Sequence, residues 1–502
     1  MPPVVRECDV LVVGAGPAGA TAAQLLASWG HSVLVLHRPT PAHLTLAESL
    51  PASTRKLLRF LGQLDRVEAA RFYPNQGNIA DWAGRTHVTT SPDTGFHVAR
   101  APFDDVLREG TRAAGATIVE ATVQSVTDGD TVWVNAVSSD GTSIECRAQY
   151  VLDCSGRAGI VARRALRRTA AGYRTLAVVA EWECDTWPAS DRAYTTIESY
   201  SDGWAWSVPL SDTRRQATVM IESPEAGRQG PPGLPSLYAH ELSKARALSA
   251  RLAGATRVSA PWTCDASLYD CVRAAEGRTL LVGDASSFIE PLSSAGVKKS
   301  LLSAWRAAVV TNTCLAKPGL AGMARELYAR RERDVFAACT ARSAMFFAEA
   351  AATHGTPFWT ARAETGSPSV ATHDDDDDLD HAGDVVAGHD QTVQAAFEQI
   401  RSAPRMRLRP AASLRFTALP TIGDREVVFR EAILMPGLKA PLQFAAGVDL
   451  ARLARLAARC DDVPAIIEAY QQHVAAAPMA GVLTGLSLLV ARQALVAEEI
   501  AS

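Results

Sequence analysis

The sequence predicts an α/β protein in which a Rossmann-type dinucleotide-binding domain carries an inserted antiparallel β-sheet domain and is followed by a C-terminal, mostly helical, winged-helix-like module. Three observations support this fold class. A glycine-rich turn joins a strand to a helix within residues 9–30. A block of strand-like segments fills residues 175–222, and an unbroken acidic run, Asp374–Asp378, separates the last part of the chain from the rest.

The composition is that of a globular protein. The 502 residues contain 50 Lys and Arg against 54 Asp and Glu, a net charge of −4, and five of the negative charges lie in Asp374–Asp378. Hydrophobic residues make up 47% and charged residues 21% of the chain. These values exclude a disordered or collagen-like chain, and the lack of a basic excess argues against nucleic acid as the partner.

The cysteines and the chain ends indicate the compartment. Nine cysteines are present, none of them in a C-x-x-C arrangement or in a Cys/His cluster with zinc-ligand spacing, so we expect reduced thiols and no metal site. The N-terminus lacks the pattern of a signal peptide, and no apolar run reaches the ~20 residues of a membrane span. The sequence therefore predicts a cytoplasmic protein that does not bind a membrane.

The glycine-rich turn has the spacing of a dinucleotide-binding fingerprint. A strand at 9–14 runs into G-A-G-P-A-G at 14–19, a helical pattern continues to Gly30, and a second apolar run follows at 33–36. In this context the first glycine permits a tight turn, the second lets the backbone approach a pyrophosphate, and the third lets the helix pack on the strand. The free N–H groups and the dipole of the helix N-terminus then bind the phosphates.

Later segments extend this pattern. Residues 98–119 predict a helix followed by a strand, and alternating segments between 123 and 151 predict a β-meander that returns to the parallel sheet. The strands of 175–222 predict an antiparallel sheet that forms the far wall of a pocket. A further buried strand is predicted at 279–284, and a long helix from about 296 to 314.

These elements divide the chain into five predicted parts. The dinucleotide-binding domain takes residues 1–70, 95–170 and 272–320; the substrate-binding β-sheet domain takes 71–94 and 171–271; a helical extension takes 321–365, an acidic linker 366–391, and the C-terminal module 392–502, in which 392–410 and 449–474 are predicted to be helical.

Three further segments indicate which dinucleotide is bound. D-C-S-G-R at 153–157 and Gly283-Asp284 each follow a predicted strand, and Arg100 opens a helix. This set resembles the FAD-binding elements of flavoprotein monooxygenases with a single Rossmann domain. The resemblance implies FAD as the cofactor, with Asp284 at the ribityl chain and the following helix N-terminus at the flavin pyrimidine. Because no second glycine fingerprint is present, a separate flavin reductase is an expected partner.

Within that family the resemblance narrows. Residues 203–209, GWAWSVP, match the W-x-W-x-[IV]-P signature of flavin-dependent halogenases, and 288–296, FIEPLSSAG, match their F-x-x-P-x-x-S-x-G loop beside the flavin. Residues 48–51, ESLP, are similar to their G-E-S-x-x-P region, with Ala47 where glycine is usual. The chain thus resembles tryptophan-halogenase-like oxidoreductases over about its first 320 residues.

The motifs and the resemblance together give a set of site residues. The predicted cofactor-binding residues are Gly14, Gly16, Ala18, Gly19, His37, Arg38, Glu48, Ser49, Arg100, Asp153, Gly156, Gly283, Asp284, Pro291, Gly296 and Val297, and the predicted substrate pocket contains Trp204, Trp206, Pro209, Phe288 and Ser294. The two tryptophans alternate on one strand, so packing as ordinary core is the competing interpretation. Lys298 and Lys299 are expected to be solvated or to hold the negative charge of the flavin.

Two positions depart from the family pattern. Flavin-dependent halogenases carry a lysine in a segment like F-x-P-K-x-G, whereas residues 72–77 read FYPNQG, with Asn75 at the lysine position. A neutral amide cannot form a haloamine or supply an ammonium charge. The second strand ends in His37 and Arg38, where a carboxylate that binds the adenosine ribose is usual, and Glu48 is a candidate substitute.

The sequence therefore predicts an FAD-dependent, monooxygenase-like oxidoreductase that uses reduced flavin and O₂ to hydroxylate an electron-rich aromatic group. The substrate is a small aromatic molecule, a group tethered to a carrier protein, or a tryptophan side chain of a partner protein. Halogenation of an aromatic substrate is the alternative, and reduction of isoprenoid double bonds is a further one. The catalytic base is unidentified, with Glu290, Asn75 and His97 as candidates.

Overall fold

The structure, a computed structural model, describes residues 4–39, 45–162, 167–169, 172–223, 233–365, 391–403, 405–435, 441–474 and 477–498. The chain folds into two compact units, Met1–Ser367 and Pro368–Ser502. The acidic run and the predicted linker lie outside the described residues, except for Gln391, at which a helix begins.

The first part of the first unit alternates strands and helices. In chain order it contains β1 (Val4–Val13), α1 (Pro17–Ser28), β2 (Val33–His37), β3 (Ala47–Leu50), α2 (Ser53–Phe60), α3 (Leu64–Ala69), β4 (Tyr73–Trp82), β5 (Arg85–Ala99), α4 (Arg100–Ala113), β6 (Thr117–Thr127), β7 (Val132–Ser138) and β8 (Ser143–Asp153).

The rest of this unit is rich in strands and ends in helices. It contains β9 (Arg167–Thr169), β10 (Thr175–Glu183), β11 (Tyr194–Tyr200), β12 (Gly203–Pro209), β13 (Arg214–Glu222), α5 (Leu234–Lys244), α6 (Arg246–Arg251), β14 (Thr256–Arg257), β15 (Trp262–Asp265), β16 (Tyr269–Cys271), β17 (Ala275–Glu276), β18 (Thr279–Leu281), α7 (Gly296–Ala316), α8 (Ala321–His354) and α9 (Pro357–Ala363).

The first sheet is built around β1. This strand pairs in parallel with β2 on one side and with β8 on the other; β2 continues to β6, and β8 continues to β18. Strand β7 pairs antiparallel with both β6 and β8, which is the meander that the sequence predicts. Val10, Leu11 and Val12 are fully buried, as expected for a strand covered on both faces.

The second sheet has nine strands, in the order β14-β10-β13-β12-β11-β4-β5-β3, with β15 beside β10. The prediction of a purely antiparallel sheet is wrong in one place, because β4 and β11 pair in parallel. Two predicted boundaries are also wrong: residues 47–50 and 95–99 belong to this sheet rather than to the FAD-binding domain, since β3 satisfies its backbone hydrogen bonds on β5.

Helix α8 spans 34 residues. Within Pro318–His354 an 18-residue window has a mean hydropathy of 1.2, so this segment is long and apolar enough to cross a membrane by length and composition, and 33% of the window is buried. This differs from the prediction that no apolar run reaches such a length. Phe347 and Ala350 pack with Trp82 and Trp359 in one buried cluster, so packing within the unit accounts for part of the apolar surface.

The second unit mixes helices with short strands. It contains α10 (Gln391–Ser402), β19 (Arg407–Pro410), β20 (Arg415–Ile422), β21 (Val427–Leu434), β22 (Phe444–Ala445), β23 (Val448–Asp449), α11 (Leu450–Ala457), α12 (Val463–His473), α13 (Met479–Ala491) and β24 (Leu495–Glu498).

Pairing and capping explain these elements. Strand β19 pairs with β24 and β20 with β21, both antiparallel. The carboxylates of Asp449 and Asp462 accept hydrogen bonds from the backbone N–H groups of Arg452 and Ala465 and so cap α11 and α12. Residues 407–410, predicted as the end of a helix, form a strand because β24 pairs with them; the winged-helix-like description stays a prediction.

Candidate active site

The turns that follow β1, β8 and β18 meet at one edge of the first sheet, beside the start of α1. Gly14 has a φ of +99°, and a Cβ there would lie 2.5 Å from the carbonyl oxygen of Cys154. A Cβ on Gly19 would lie 1.9 Å from the carbonyl oxygen of Gly14, so the helix packs against the turn only with glycine at both positions. Close backbone contact thus requires these two residues.

Gly16 directly precedes α1 and leaves the helix N-terminus open. The helix has no side-chain cap, so its first N–H groups face the cavity. The atoms nearest to a Cβ built on Gly16 lie 3.7 Å away on Asp104 and 3.8 Å away on Arg100. An open helix N-terminus with free space in front of it fits the diphosphate of a dinucleotide.

A cavity of about 410 Å³ extends from this turn to the second sheet. Most predicted cofactor residues line it, namely Gly14, Gly16, Ala18, His37, Arg38, Glu48, Ser49, Arg100, Gly156, Asp284, Pro291 and Gly296, together with Trp204, Trp206, Phe288 and Ser294 of the predicted substrate pocket and Glu290. The predicted site residues that do not line it are Gly19, Asp153, Gly283, Val297, Pro209, Asn75 and His97.

Asp153 and Gly283 shape the turns behind the cavity instead of facing it. One carboxylate oxygen of Asp153 accepts hydrogen bonds from the N–H and hydroxyl of Ser155, at 3.1 and 2.5 Å, and the other accepts the N–H of Val161 at 2.8 Å. Gly283 has a φ of +62° and donates its N–H to the hydroxyl of Ser303 at 2.9 Å. The structure therefore gives these two residues a role in shaping the turns, and their direct contact with the cofactor stays a prediction.

A charged cluster stands on the cofactor side of the cavity. Arg100 lies 3.3 Å from a carboxylate oxygen of Glu48 and 3.1 Å from one of Asp104. Burial raises the pKa of Glu48, and the guanidinium of Arg100 opposes this shift. The cluster places Glu48 in an ion pair with Arg100, at the edge of the second sheet, where β3 ends the strand order.

The two lysines at the start of α7 are buried, so the expectation that they are solvated is wrong. The side chain of Lys299 is 1% exposed; its ammonium group donates to the carbonyl oxygens of Gly283 and Ser287 and lies 3.5 Å from a carboxylate oxygen of Asp284. Lys298 donates to the hydroxyl of Ser53 at 3.3 Å. Neither lysine lines the cavity. Lys299 instead holds the Gly283-Asp284 turn in place.

The far wall of the cavity is one face of the second sheet. Trp204, Trp206 and Val208 alternate along β12 and all line the cavity, whereas Pro209 falls on the opposite register and does not. The two indoles stack with centroids 4.8 Å apart, and Trp204 also meets Trp82 edge to face. The tryptophans therefore both line the cavity and pack as core. Among the predicted pocket residues, Val208 takes the place of Pro209.

Glu290 is the candidate catalytic residue that the structure places at the cavity. It lies in the loop between β18 and α7, directly before the turn Pro291–Ser293, and is 3% exposed. Neither of its carboxylate oxygens has a hydrogen-bond partner among the described residues. Burial raises its pKa from the ordinary value of 4.5 to about 7, and Arg362 opposes this shift. A buried carboxylate with free oxygens and a pKa near neutrality is suited to accepting a proton.

The other two catalytic candidates are corrected. Asn75 and His97 are buried and do not line the cavity. Asn75 donates from Nδ2 to the hydroxyl of Ser49 at 2.9 Å, and its Oδ1 accepts the N–H of Gly77 at 2.9 Å. The ring of His97 is bonded on both nitrogens, to Pro74 and Thr195. Both side chains are structural partners, because their polar atoms are already used.

Several cavity residues carry no sequence motif. Val179, Thr195, Ile197 and Thr218 reach the cavity because alternate residues of β10, β11 and β13 face it, a signal that the alternation within 175–222 contains. Arg157, the last residue of the D-C-S-G-R segment, also lines it and stacks 3.9 Å from the ring centroid of Phe288. Nothing in the sequence marks the tertiary contact between Arg157 and Phe288.

These features define an FAD-dependent oxidoreductase: a glycine turn before an open helix, a charged cluster beside it and an aromatic wall opposite. A family model described as an FAD binding domain matches residues 7–308, and the chain belongs to this family. It is a flavoprotein of the halogenase-like group, since the chain is 31% identical over 370 residues to a tryptophan 2-halogenase of Chondromyces crocatus, 70% of each protein. The cofactor is FAD.

Solved structures share the fold over nearly the whole chain. The flavin-dependent halogenase CmlS has a TM-score of 0.76 at 19% identity, covering 98% of this chain and 96% of that one. The peptidyl tryptophan dihydroxylase QhpG has a TM-score of 0.67 at 23% identity, covering 98% of this chain and 100% of that one. At these identities the two structures establish the fold.

Proposed function

We propose that this protein is an FAD-dependent monooxygenase that hydroxylates an electron-rich aromatic group. The supporting observation is that no lysine among the described residues lines the cavity. Asn75, at the position where the halogenase pattern has lysine, is bonded to Ser49 beneath the wall. The described cavity thus lacks the ammonium group to which the family resemblance assigns halogen transfer.

The residues of the chain divide the work between binding and proton transfer. When bound and reduced, FAD supplies the electrons that activate O₂. The N–H groups of the first turn of α1 bind the phosphates, and the apolar wall around Trp206 and Ile197 excludes water from the reacting carbon. Glu290, in its deprotonated form, accepts the proton that the ring carbon releases when oxygen replaces hydrogen.

Product analysis tests this proposal. FAD-loaded protein with a flavin reductase is incubated with tryptophan, indole or phenol under ¹⁸O₂ in the presence of bromide. We expect a product that carries one oxygen atom from O₂ and no bromine. A brominated product overturns hydroxylation, and turnover that continues without O₂ overturns any oxygenase role.

Halogenation is the second candidate function. It is favoured by the 31% identity to a tryptophan 2-halogenase over 70% of each protein. For this function the reactive lysine has to come from outside the described residues. The bromide arm of the experiment above separates the two candidates directly, because only a halogenase incorporates bromine.

The substrate and the partners follow from the same proposal. A free aromatic molecule, a carrier-tethered group or a tryptophan side chain of another protein supplies the reacting ring, and a separate flavin reductase supplies electrons. Phe429 and Leu434 are exposed on the β20–β21 hairpin of the second unit. These exposed apolar side chains support a role of this winged-helix-like unit in docking a substrate protein. All nine cysteines are free, which supports a cytoplasmic location.

A further inference from the structure

The segment 157–174, which follows β8, is strongly basic. It contains six arginines and no acidic residue. The first of these arginines, Arg157, lines the cavity together with Asp265 and Phe288. Asp265 ends β15, which pairs with β10 beside the aromatic wall. The positive charge of this segment therefore reaches the cavity at one edge of the wall.

Two aromatic rings hold the guanidinium of Arg157 in place. Its central carbon lies 3.9 Å from the ring centroid of Phe288 and 5.5 Å from that of Tyr269, and these two rings stack on each other. The guanidinium of Arg167 lies 3.8 Å from the centroid of Tyr269 and donates to the backbone carbonyl oxygen of Arg157 at 2.9 Å. A guanidinium held over a ring face keeps the N–H groups at its edge available to a ligand.

The N–H groups of Arg157 are unused within the described part of the chain. Its side chain donates no hydrogen bond to these residues, and its ion-pair partner among them, Asp265, lies 3.6 Å away, which is longer than a hydrogen bond. The carboxylate of Asp265 also accepts the N–H of Ser267 at 3.0 Å and lies 3.7 Å from Arg174. Because two arginines share this one carboxylate, the cluster carries an excess positive charge.

A guanidinium in this state favours an anion. Its planar edge matches the two oxygens of a carboxylate or a phosphate and binds them through paired, charge-assisted hydrogen bonds. The side chain of Arg157 is 29% exposed, so a molecule in the cavity is able to reach it. A neutral molecule that covered Arg157 would remove water from the charge without replacing the hydrogen bonds of that water.

Arg157 lies on the substrate side of the cavity. The expected diphosphate site is at the start of α1, beside Arg100, whereas Arg157 lies over Phe288 and beside β15. On β15, Cys264 pairs with Ala177 of β10, and both residues line the cavity. Strand β15 is three strand spacings, about 14 Å, from β12 with its two tryptophans. A tail of several atoms is therefore needed to join a ring at the tryptophans to an anionic group at Arg157.

We propose that Arg157 binds an anionic group of the aromatic substrate, a carboxylate or a phosphate, while the ring lies against the tryptophan wall. The substrate class is then an aromatic ring with a negatively charged tail, in preference to a neutral ring or an unmodified tryptophan side chain of a protein. Arg167 is a positioning residue that holds the backbone of Arg157. This assignment rests on the proposed function, in which an aromatic ring occupies the cavity.

Matched probes test the proposal by binding alone. FAD-loaded protein is titrated calorimetrically with indole-3-butyrate and its neutral amide, and with 3-phenylpropyl phosphate and 3-phenylpropanol. We expect the charged member of a pair to bind at least about tenfold more tightly than the neutral member, as a hydrogen bond to a charged group provides. A preference within the first pair identifies a carboxylate tail, and a preference within the second pair alone identifies a phosphate.

Variants assign the preference to one side chain. Arg157→Met keeps a long side chain and removes the charge, so the affinity ratio should fall towards one while the neutral probe binds as before; Arg157→Gln should behave in the same way if the methionine variant does not fold. Arg157→Lys keeps the charge without the planar edge and should give an intermediate ratio. Arg168→Gln is the matched control and should keep the wild-type ratio, because Arg168 belongs to the same segment, does not line the cavity and is bonded to Asp270 at 2.8 and 3.1 Å.

Three results overturn the proposal: equal affinity of wild-type protein for both members of each pair, failure of all probes to bind, or an unchanged ratio in the variants that remove the charge of Arg157. Loss of FAD from every Arg157 variant assigns the guanidinium to the cofactor and overturns the proposal as well. A halogenated product would overturn the proposed function but leave the binding ratios unaffected, so the two failures are distinguishable.

Discussion

The loop before α7 and the strands beneath the aromatic wall each bury a titratable side chain and treat it in opposite ways. Glu290 lines the cavity, both of its buried carboxylate oxygens lack a hydrogen-bond partner among the described residues, and its pKa is raised to about 7 by burial. His97 does not line the cavity and has both ring nitrogens bonded, and burial lowers its pKa to about 3. Burial favours the neutral form of each, but only the polar atoms of Glu290 are left without a hydrogen bond within the described residues.

The largest expected effect is the loss of turnover when Glu290 is replaced. Glu290→Gln keeps the shape of the side chain and removes the base, so turnover should fall at least about 100-fold while FAD content is unchanged. Steady-state product formation per bound FAD measures this. Glu276→Gln, an exposed glutamate on β17, is the matched control and should retain wild-type turnover. Turnover within threefold of wild type in Glu290→Gln would exclude Glu290 as the base.

The next largest effect is a loss of stability when the hydrogen-bond network of Asn75 is removed. Asn75→Ala removes the amide that bonds Ser49, Leu50 and Gly77 and leaves these groups unpaired, so the free energy of unfolding should fall by about 1–3 kcal/mol. Urea unfolding measures the loss, with exposed Gln76→Ala as the neighbouring control. An unchanged free energy of unfolding in Asn75→Ala would show that the network beneath the wall is not structural.

The pH dependence of turnover sharpens the comparison. A base is active when deprotonated, so turnover should rise with pH and level off above about 7, the pKa of Glu290. In Glu290→Gln the residual turnover should lack this rise. A rise near pH 7 that persists in Glu290→Gln would place the titrating group elsewhere in the protein.

The smallest effect is the pH dependence of stability, which should have opposite signs for the two groups. Glu290 has a raised pKa, so the folded protein holds its proton longer than the unfolded chain, and its contribution to stability declines as pH rises from about 4.5 to about 7. His97 has a lowered pKa, so its contribution declines as pH falls from 6.5 towards 3.

Unfolding measured across this pH range checks both signs. The stability of Glu290→Gln relative to wild type should increase from pH 5 to pH 8, because the variant never buries a charge. His97→Gln should lose less stability than wild type between pH 6 and pH 4. The same sign for both variants would contradict the opposite environments described above.

Local motifs predict the cofactor half of the site well. Gly19 packs against the carbonyl oxygen of Gly14 within the same turn, so the glycine spacing indicates this contact, whereas Gly14 also packs against Cys154, which follows β8 much later in the chain. The boundaries of the second sheet could not be predicted in the same way. Strand β3 is four residues long and acquires its place only by pairing with β5, nearly 50 residues later in the chain.

By itself, the sequence determined the glycine turn, the strand and helix order, the FAD cofactor and the absence of a lysine at position 75. Only the tertiary structure decided which of the three candidates lines the cavity with unbonded polar atoms. Asn75, His97 and Glu290 are all buried, and their residue types alone do not show which of them has polar atoms free at the cavity. The ranking comes from which polar atoms are already bonded, and those bonds join strands that are distant in sequence, so no local pattern contains them.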